Sequence, residues 1–478
     1  MIRTDQLRLS AAQAAAGVWS RARSIPRQVK AEAYQKARNR PILLLGEGLF
    51  IMLTLALYLP LTIRNTQQFT ALYVLICLFY VLLAIVVSRA FVRPVFPVMI
   101  LLGIQIWMLV SYVLVAPMTV PLPIVGRHLY WPFLVVLPYF VLGSICILDP
   151  SWRQKALKIL FYFALINALV GVGQFLRLPG FGAIQQFYSP NALGVDYFGN
   201  LPNEFRAVGL TLHPYHLAAQ CIFGMAVIGS NLFERKLYPR ELVLFVLFLA
   251  ALFVAQSRAY YAGGGVVLIV LLTLLYKRDK ATFVWGVAGL AAAGSILMIW
   301  YGTRLEYGLR GRNTIEFGRV DRWQNAANLV KEFPLTGVGP SPEIFGNDKL
   351  KLPTRRKLEY TENGYRMMAA TGGIPGLLLL IGGLLGSITL GFLVAKKHFR
   401  DSLQRRMGLI AALYIVSLVV ALGISNMFEH ELLTYFGMCT AAISLPDVGK
   451  AFASRRTRRK LGEGFANFRA TSKPAEGV

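Results

Sequence analysis

The chain has 478 residues, of which 56% are apolar and only 15% charged, and its mean hydropathy is +0.54. Soluble domains carry about 25% charged residues, so this composition excludes a soluble globular protein and indicates a polytopic membrane chain. The formal charge of +27 is spread over many short connections rather than gathered on one face, which sets nucleic acid aside as a partner and points to membrane topology.

Residues 1–40 form a basic, Ala-rich arm, expected to be helical and to rest on the cytoplasmic face against anionic lipid. The arm lacks the apolar stretch of a cleavable signal peptide. Apolar stretches follow near 42–63, 69–88, 95–115, 129–148, 156–176, 213–231, 241–256, 259–276, 281–300, 374–395, 408–425 and 430–445. These predict about 12 transmembrane helices, of which 241–256 and 430–445 are short for a bilayer. Counted from a cytoplasmic N-terminus, every second connection is basic: Arg89 and Arg93, Arg153 to Lys158, Arg235 to Arg240, Lys277 to Lys280, then Lys396 to Arg406. The tail from Arg455 to Lys460 continues the pattern, so both termini are expected on the cytoplasmic side. The expected organisation is an all-α, polytopic transmembrane domain over 41–446, followed by a basic, disordered tail over 447–478. Cys77, Cys146, Cys221 and Cys439 all sit in apolar runs and read as small core residues.

Two connections expected on the outer side are long. One covers about 177–212 and is rich in Gly, Pro, Asn and aromatics; the other is a long extracytoplasmic loop over about 301–362. Loops of this length with no evident fold are usually functional. Four outward segments could carry chemistry: Arg206 to Ala218, Gln256 to Gly265, Arg319 to Pro340 and Thr361 to Leu379.

Arg258 lies in a very short turn between two apolar stretches. An arginine at a membrane boundary is costly unless paired or snorkelling, and its planar fork suits phosphate. Two readings stand, a phosphate-binding group or an anchor to lipid headgroups. Gly263, Gly264 and Gly265 allow close helix packing or a ligand's approach. His213 and His216 flank Pro214 at a three-residue spacing, which fits a polar contact at a cavity mouth, a helix cap, or a metal pair without an evident third ligand. In the third segment Trp323, Ala327 and Val330 are expected on one face of an amphipathic helix that Pro334 ends. That helix either lies flat on the outer leaflet, with Arg319 and Arg322 solvated, or brings both arginines over a phosphate or sugar. Glu362 precedes Asn363 and Gly364 at the start of an apolar helix, where it is either a helix cap or a general base. Glu429, His430 and Glu431 form a further outward polar cluster.

Taken in order, these segments resemble the O-antigen ligase and O-antigen polymerase superfamily of bacterial membrane glycosyltransferases. The resemblance covers roughly 200–445 and rests on Arg206 with His213-Pro214, on Ser257-Arg258, on Arg319-x-x-x-Trp323 leading to Pro334–Gly339, and on Asn363-Gly364-Tyr365 followed by Gly373–Gly376. It implies a GT-C-like helical fold in the cytoplasmic membrane. It also implies transfer of a glycan from an undecaprenyl-diphosphate carrier to a sugar hydroxyl at the outer side, with no nucleotide sugar, cofactor or metal. By that analogy Arg206 and Arg258 hold the diphosphate; Arg319 and Arg322, in the clamp reading of their helix, are further candidates to bind it. The chain departs from the family at one place. Family ligases carry His before the Asn of the last motif, where this chain has Glu362, so Glu362 with His213 are the catalytic candidates by position.

The departure and the long 301–362 loop point to a polymerase that joins carrier-linked repeats into a surface or exopolysaccharide. A ligase acting on lipid A core is the alternative. A lipid-linked oligosaccharide flippase is the alternative of another class, disfavoured because mid-span polar groups are sparse (Glu47, Gln105, Asn167). The expected partners are the carrier-linked glycan, the bilayer and a chain-length regulator.

Overall fold

The computed structural model describes residues 27–56, 67–89, 92, 94, 96–115, 137–188, 206–211, 213–288, 291, 321–339, 363–396, 402–424, 437 and 439. All the regular structure among these residues is helical. The helices are α1 (Arg27–Ala56), α2 (Gln67–Ser88), α3 (Phe96–Val115), α4 (137–148), α5 (Trp152–Phe175), α6 (Phe181–Tyr188) and α7 (Pro214–Ser230). Further along come α8 (Pro239–Val254), α9 (Arg258–Arg278), α10 (280–288), α11 (321–332), α12 (Gly364–Ala395) and α13 (Ser402–Leu422).

Four helical stretches are long and apolar enough to cross a bilayer: Trp152–Phe175, Ala259–Arg278, Gly364–Ala395 and Ser402–Leu422. Shorter apolar helices occur at Val74–Ser88, Val98–Ser111 and Leu137–Leu148. Helices stand at most of the apolar stretches from which about 12 spans were expected; among the described residues these four are the candidates that combine spanning length with an apolar composition. α7 and α8 have 17 and 16 residues, and at about 1.5 Å per residue they fall short of a hydrocarbon core of about 30 Å. The stretch expected at 430–445 lies outside the described residues except for 437 and 439, both helical.

The core is built around α7. Every one of its residues except Tyr215 is buried, as expected of a helix that is apolar on all sides. α5, α8, α9 and α13 pack around it, and α12 lies outside them between α13 and α3. Small residues set the closest crossings. Gly263 of α9 faces the Ser417 backbone of α13, and Gly391 of α12 faces Gly408 of α13. Of the two roles open to Gly263–Gly265, the first two glycines serve packing: Gly264 meets Leu252 and Ile222, while Gly265 faces open space.

Because neighbouring helices alternate in direction, the connections separate onto two ends. At one end Arg235 forms an ion pair with Glu241 at 2.6 Å, Lys236 pairs with Asp279 at 3.2 Å, and the Arg406 Nε donates to Ser230 Oγ at 3.3 Å. Arg278 donates to the Glu234 carbonyl at this same end. These residues belong to the basic connections. The opposite end holds the C-termini of α5, α8 and α13 and the N-termini of α7, α9 and α12, where the candidate motifs lie. Glu47 accepts a hydrogen bond from the Trp152 indole, which accounts for that in-span carboxylate structurally.

Candidate functional site

The expected outer loop 177–212 is not open chain where it is described. It begins with the short helix α6, and residues 207–209 and 211 are buried within the bundle. Non-helical backbone is tolerated beside lipid only where protein satisfies its polar groups. Two amides on α5 do this. Gln174 Oε1 accepts from the Val208 and Gly209 N–H groups at 3.1 and 2.8 Å, and its Nε2 donates to the Gly209 carbonyl at 2.8 Å. Asn167 Oδ1 accepts from the Leu210 N–H at 2.6 Å, while its Nδ2 donates to Gln220 of α7 at 2.9 Å. The loop is held from beneath, residue by residue.

This seating brings two sequence motifs together. The Ala207 N–H donates to the Val254 carbonyl at 3.1 Å, which ties the chain next to Arg206 to the last turn of α8. Four residues on, Arg258 opens α9, with Ser257 as its extended N-cap and Gln256 in the left-handed region at φ 47°. The Arg206 backbone and the start of α9 therefore share one corner. The Gln185 Nε2 of α6 holds the Arg206 carbonyl from the other side at 3.2 Å.

His213 is the N-cap of α7, with Pro214 at the first helical position as the spacing predicts. Its side chain makes no capping bond, which removes the capping role for the imidazole. The ring stacks on Tyr215 at 4.8 Å and stands 6.4 Å, edge to face, from His216. Among the described residues no three His, Cys, Asp or Glu side chains gather as a metal site.

The third and fourth motifs dock on each other. α12 is broken at Gly373 (φ 66°, ψ −170°), just ahead of Pro375. The carbonyls freed at the break are taken by the turn that follows α11: Val338 N–H donates to Ala370 and Gly339 N–H to Thr371, both at 2.9 Å. In return the Ile374 N–H donates to the Pro334 carbonyl at 2.8 Å. Gly337 and Gly373 lie at this approach, where an added Cβ would run into the Thr371 carbonyl oxygen in the first case and meet that of Leu335 at 2.5 Å in the second. Arg366 lies over the Trp323 ring at 4.6 Å and links the start of α12 to α11.

α11 ends ahead of Pro334 as expected, but its buried face differs from the expected Trp323–Ala327–Val330 stripe. Ala326 and Leu329 are buried against Val338 and Ala370, with Val330 and Phe333 beside them, and Ala327 is exposed. The face is turned by one residue because it packs on the 337–339 turn and α12 rather than on a lipid leaflet. Arg322, one turn before Ala326, sits half-buried on that side.

Asn363 is the N-cap of α12: its Oδ1 accepts from the Arg366 N–H at 3.0 Å and its Nδ2 donates to the Gly423 carbonyl at 2.7 Å. The capping position open to Glu362 is thus filled by its neighbour. Glu362, Arg319 and the Glu429–Glu431 cluster lie outside the described residues, as does the Arg258 side chain. Sequence reasoning missed Gln174 and Gln220, and counted Asn167 only as a sparse mid-span polar group. An amide inside an apolar span was the available signal, since such a group needs a partner.

In comparison with curated proteins the chain matches none. Residues 243–381 match the family model described as O-antigen ligase, a stretch that runs from α8 through the turn after α11 into the broken helix α12. This match supports the resemblance of the chain to the O-antigen ligase and polymerase superfamily.

Proposed function

We propose that the chain polymerises undecaprenyl-diphosphate-linked oligosaccharide repeats at the outer side of the cytoplasmic membrane, within a GT-C-like fold of about 12 spans and with both termini cytoplasmic. The observation that carries this reading is the shared corner: the seated 206–211 loop, bonded to Val254 through Ala207, sets the Arg206 backbone near the last turn of α8 and the start of α9, and His213 caps the helix that follows this loop. Cationic forks and a helix N-terminus converging at one end of the bundle suit a diphosphate. In the proposed step a hydroxyl of the acceptor sugar attacks C1 of the donor sugar. The C1–O bond to the diphosphate breaks, its electron pair leaves with undecaprenyl diphosphate, and the acceptor proton passes to Glu362. Arg206, Arg258, Arg319 and Arg322 stabilise the negative charge that develops on the leaving group, so the step needs no metal. His213 orients the acceptor hydroxyl or takes its proton in place of Glu362.

The description of the matched family favours a second reading, in which the acceptor belongs to a lipid A core and the chain is a ligase. Glu362, standing where family ligases have His, and the long 301–362 loop favour the polymerase. Deletion of the gene separates the two. A polymerase predicts loss of long chains while single repeats persist on the carrier. Full-length chains left on the carrier, with none on the core, overturn that reading in favour of the ligase, and continued normal chain growth and attachment overturns both.

A further inference from the structure

The break in α12 is held from a helix that lies outside both the matched domain and the four motifs. The Trp107 Nε1 of α3 donates to the Gly372 carbonyl at 2.7 Å. One turn on, Ser111 Oγ donates to the Thr336 carbonyl and lies 3.4 Å from that of Thr371. Ser111 is fully buried, 0% exposed. The two side chains stand four residues apart on one face of α3, so a single helix grips both parts of the joint: the end of the 364–372 half-helix and the turn after α11.

We infer that Trp107 and Ser111 are positioning residues for the transfer reaction. The inference rests on the proposed reading of that reaction. The 364–372 half-helix is tied at its start to α13 through Asn363 and Tyr365, whose hydroxyl donates to the Val419 carbonyl at 2.8 Å. Its middle rests on α11 through Arg366 and Ala370. Its end is open at Gly373, where no further turn continues the ladder; the 338–339 turn supplies donors to Ala370 and Thr371, and α3 supplies the donor to Gly372. Arg322 is carried on α11, which docks on this half-helix, and in the sequence Glu362 stands two positions before its first residue, Gly364. Fixing the joint therefore fixes the half-helix and, beside it, the helix that carries Arg322. Polar groups in α3 that served the helix alone would bond within α3; these reach across to residues 225 to 265 positions away.

The test uses the full-length chain in lipid nanodiscs, with lipid-linked glycan extracted from a strain lacking the gene as substrate. Trp107→Phe keeps an aromatic ring and removes the donor; Ser111→Ala is the second variant should the first fail to fold. Amide exchange in peptides covering 335–340 and 370–376 is expected to rise about tenfold, since the joint opens locally rather than with the whole bundle. The maximal transfer rate is expected to fall about 10- to 100-fold, while the half-saturating glycan concentration stays within about twofold, as for a displacement of about 1 Å at the reacting groups. Unchanged exchange overturns the clamp. Faster exchange with an unchanged rate, or an equal loss of substrate affinity, overturns the positioning role. The exchange arm needs no glycan, so a wild-type chain that clamps but transfers nothing refutes the proposed reaction and not the clamp.

Discussion

Replacing Gly373 by Ala tests the broken helix directly. Its backbone, at φ 66° and ψ −170°, lies in a region that is essentially restricted to glycine and costs other residues about 1–3 kcal/mol. The new methyl would also meet backbone atoms that cannot swing aside: the Leu335 oxygen at 2.5 Å, the Leu335 carbon at 2.7 Å and the Pro334 oxygen at 2.8 Å. Relief of that clash separates the two segments and removes the Ile374-to-Pro334 bond, a further loss of about 1 kcal/mol. The sum, about 2–4 kcal/mol, is a sizeable part of the 5–15 kcal/mol that typically stabilises a domain. Gly265→Ala is the matched control, since nothing lies within 4 Å of its added Cβ and α9 is helical there, so it is expected to stabilise by up to about 1 kcal/mol. Thermal unfolding of the detergent-solubilised full chain, followed by loss of a monodisperse elution peak, and limited proteolysis at the 334–339 turn are the assays. Gly373→Ala should unfold several degrees below wild type and be cut faster at the turn; Gly265→Ala should do neither. A Gly373→Ala chain with wild-type melting and wild-type cleavage would refute the argument that the break is glycine-dependent.

Gln174→Leu leaves the Val208 and Gly209 N–H groups and the Gly209 carbonyl without their partner in a low-dielectric bundle, at about 1–3 kcal/mol each; faster amide exchange across 206–211 and a lower melting temperature are expected, and unchanged exchange would show that the cradle is dispensable. Arg258→Lys keeps the charge but loses the fork, so polymer output should drop sharply at normal membrane levels of the chain; normal output from Arg258→Ala would leave Arg258 as a headgroup anchor.

What was legible in the sequence follows from what each signal depends on. Helix positions and the grouping of basic connections at one end depend on composition over long windows, and α2, α3, α5, α9 and α13 fall within a few residues of the expected stretches. The His213-Pro214 helix start and the Pro334 stop depend on backbone chemistry at one residue, and both are where the sequence puts them. The buried face of α11 was misplaced by one position because the surface it meets, Val338 and Ala370, comes from a turn and a helix that no local periodicity reports. The break at Gly373 was visible only as a Gly-Ile-Pro-Gly motif ahead of an expected span at 374; the helix in fact begins at Gly364 and carries its irregularity inside. The Asn363 cap was overlooked in favour of Glu362 because a carboxylate beside a helix start draws attention that its amide neighbour answers in geometry.

The polar groups that were hardest to read are those that identify where the chain must be irregular. In a lipid-facing bundle an open peptide group costs several kcal/mol, so a loop or a helix break can persist there only if a neighbouring span supplies donors and acceptors for it. An in-span amide, indole or serine that bonds to distant backbone is therefore a marker of enforced irregularity elsewhere. Asn167 and Gln174 mark the 206–211 loop, and Trp107 and Ser111 mark the joint of 334–339 with α12. Each marked segment lies next to residues that the proposed chemistry uses: Arg206 and His213 in the first case, and the α11 arginine Arg322 together with the helix that follows Glu362 in the second. The supporting residues stand on α3 and α5, before the matched stretch begins at 243, so the scaffold of the site extends further toward the N-terminus than the family domain does.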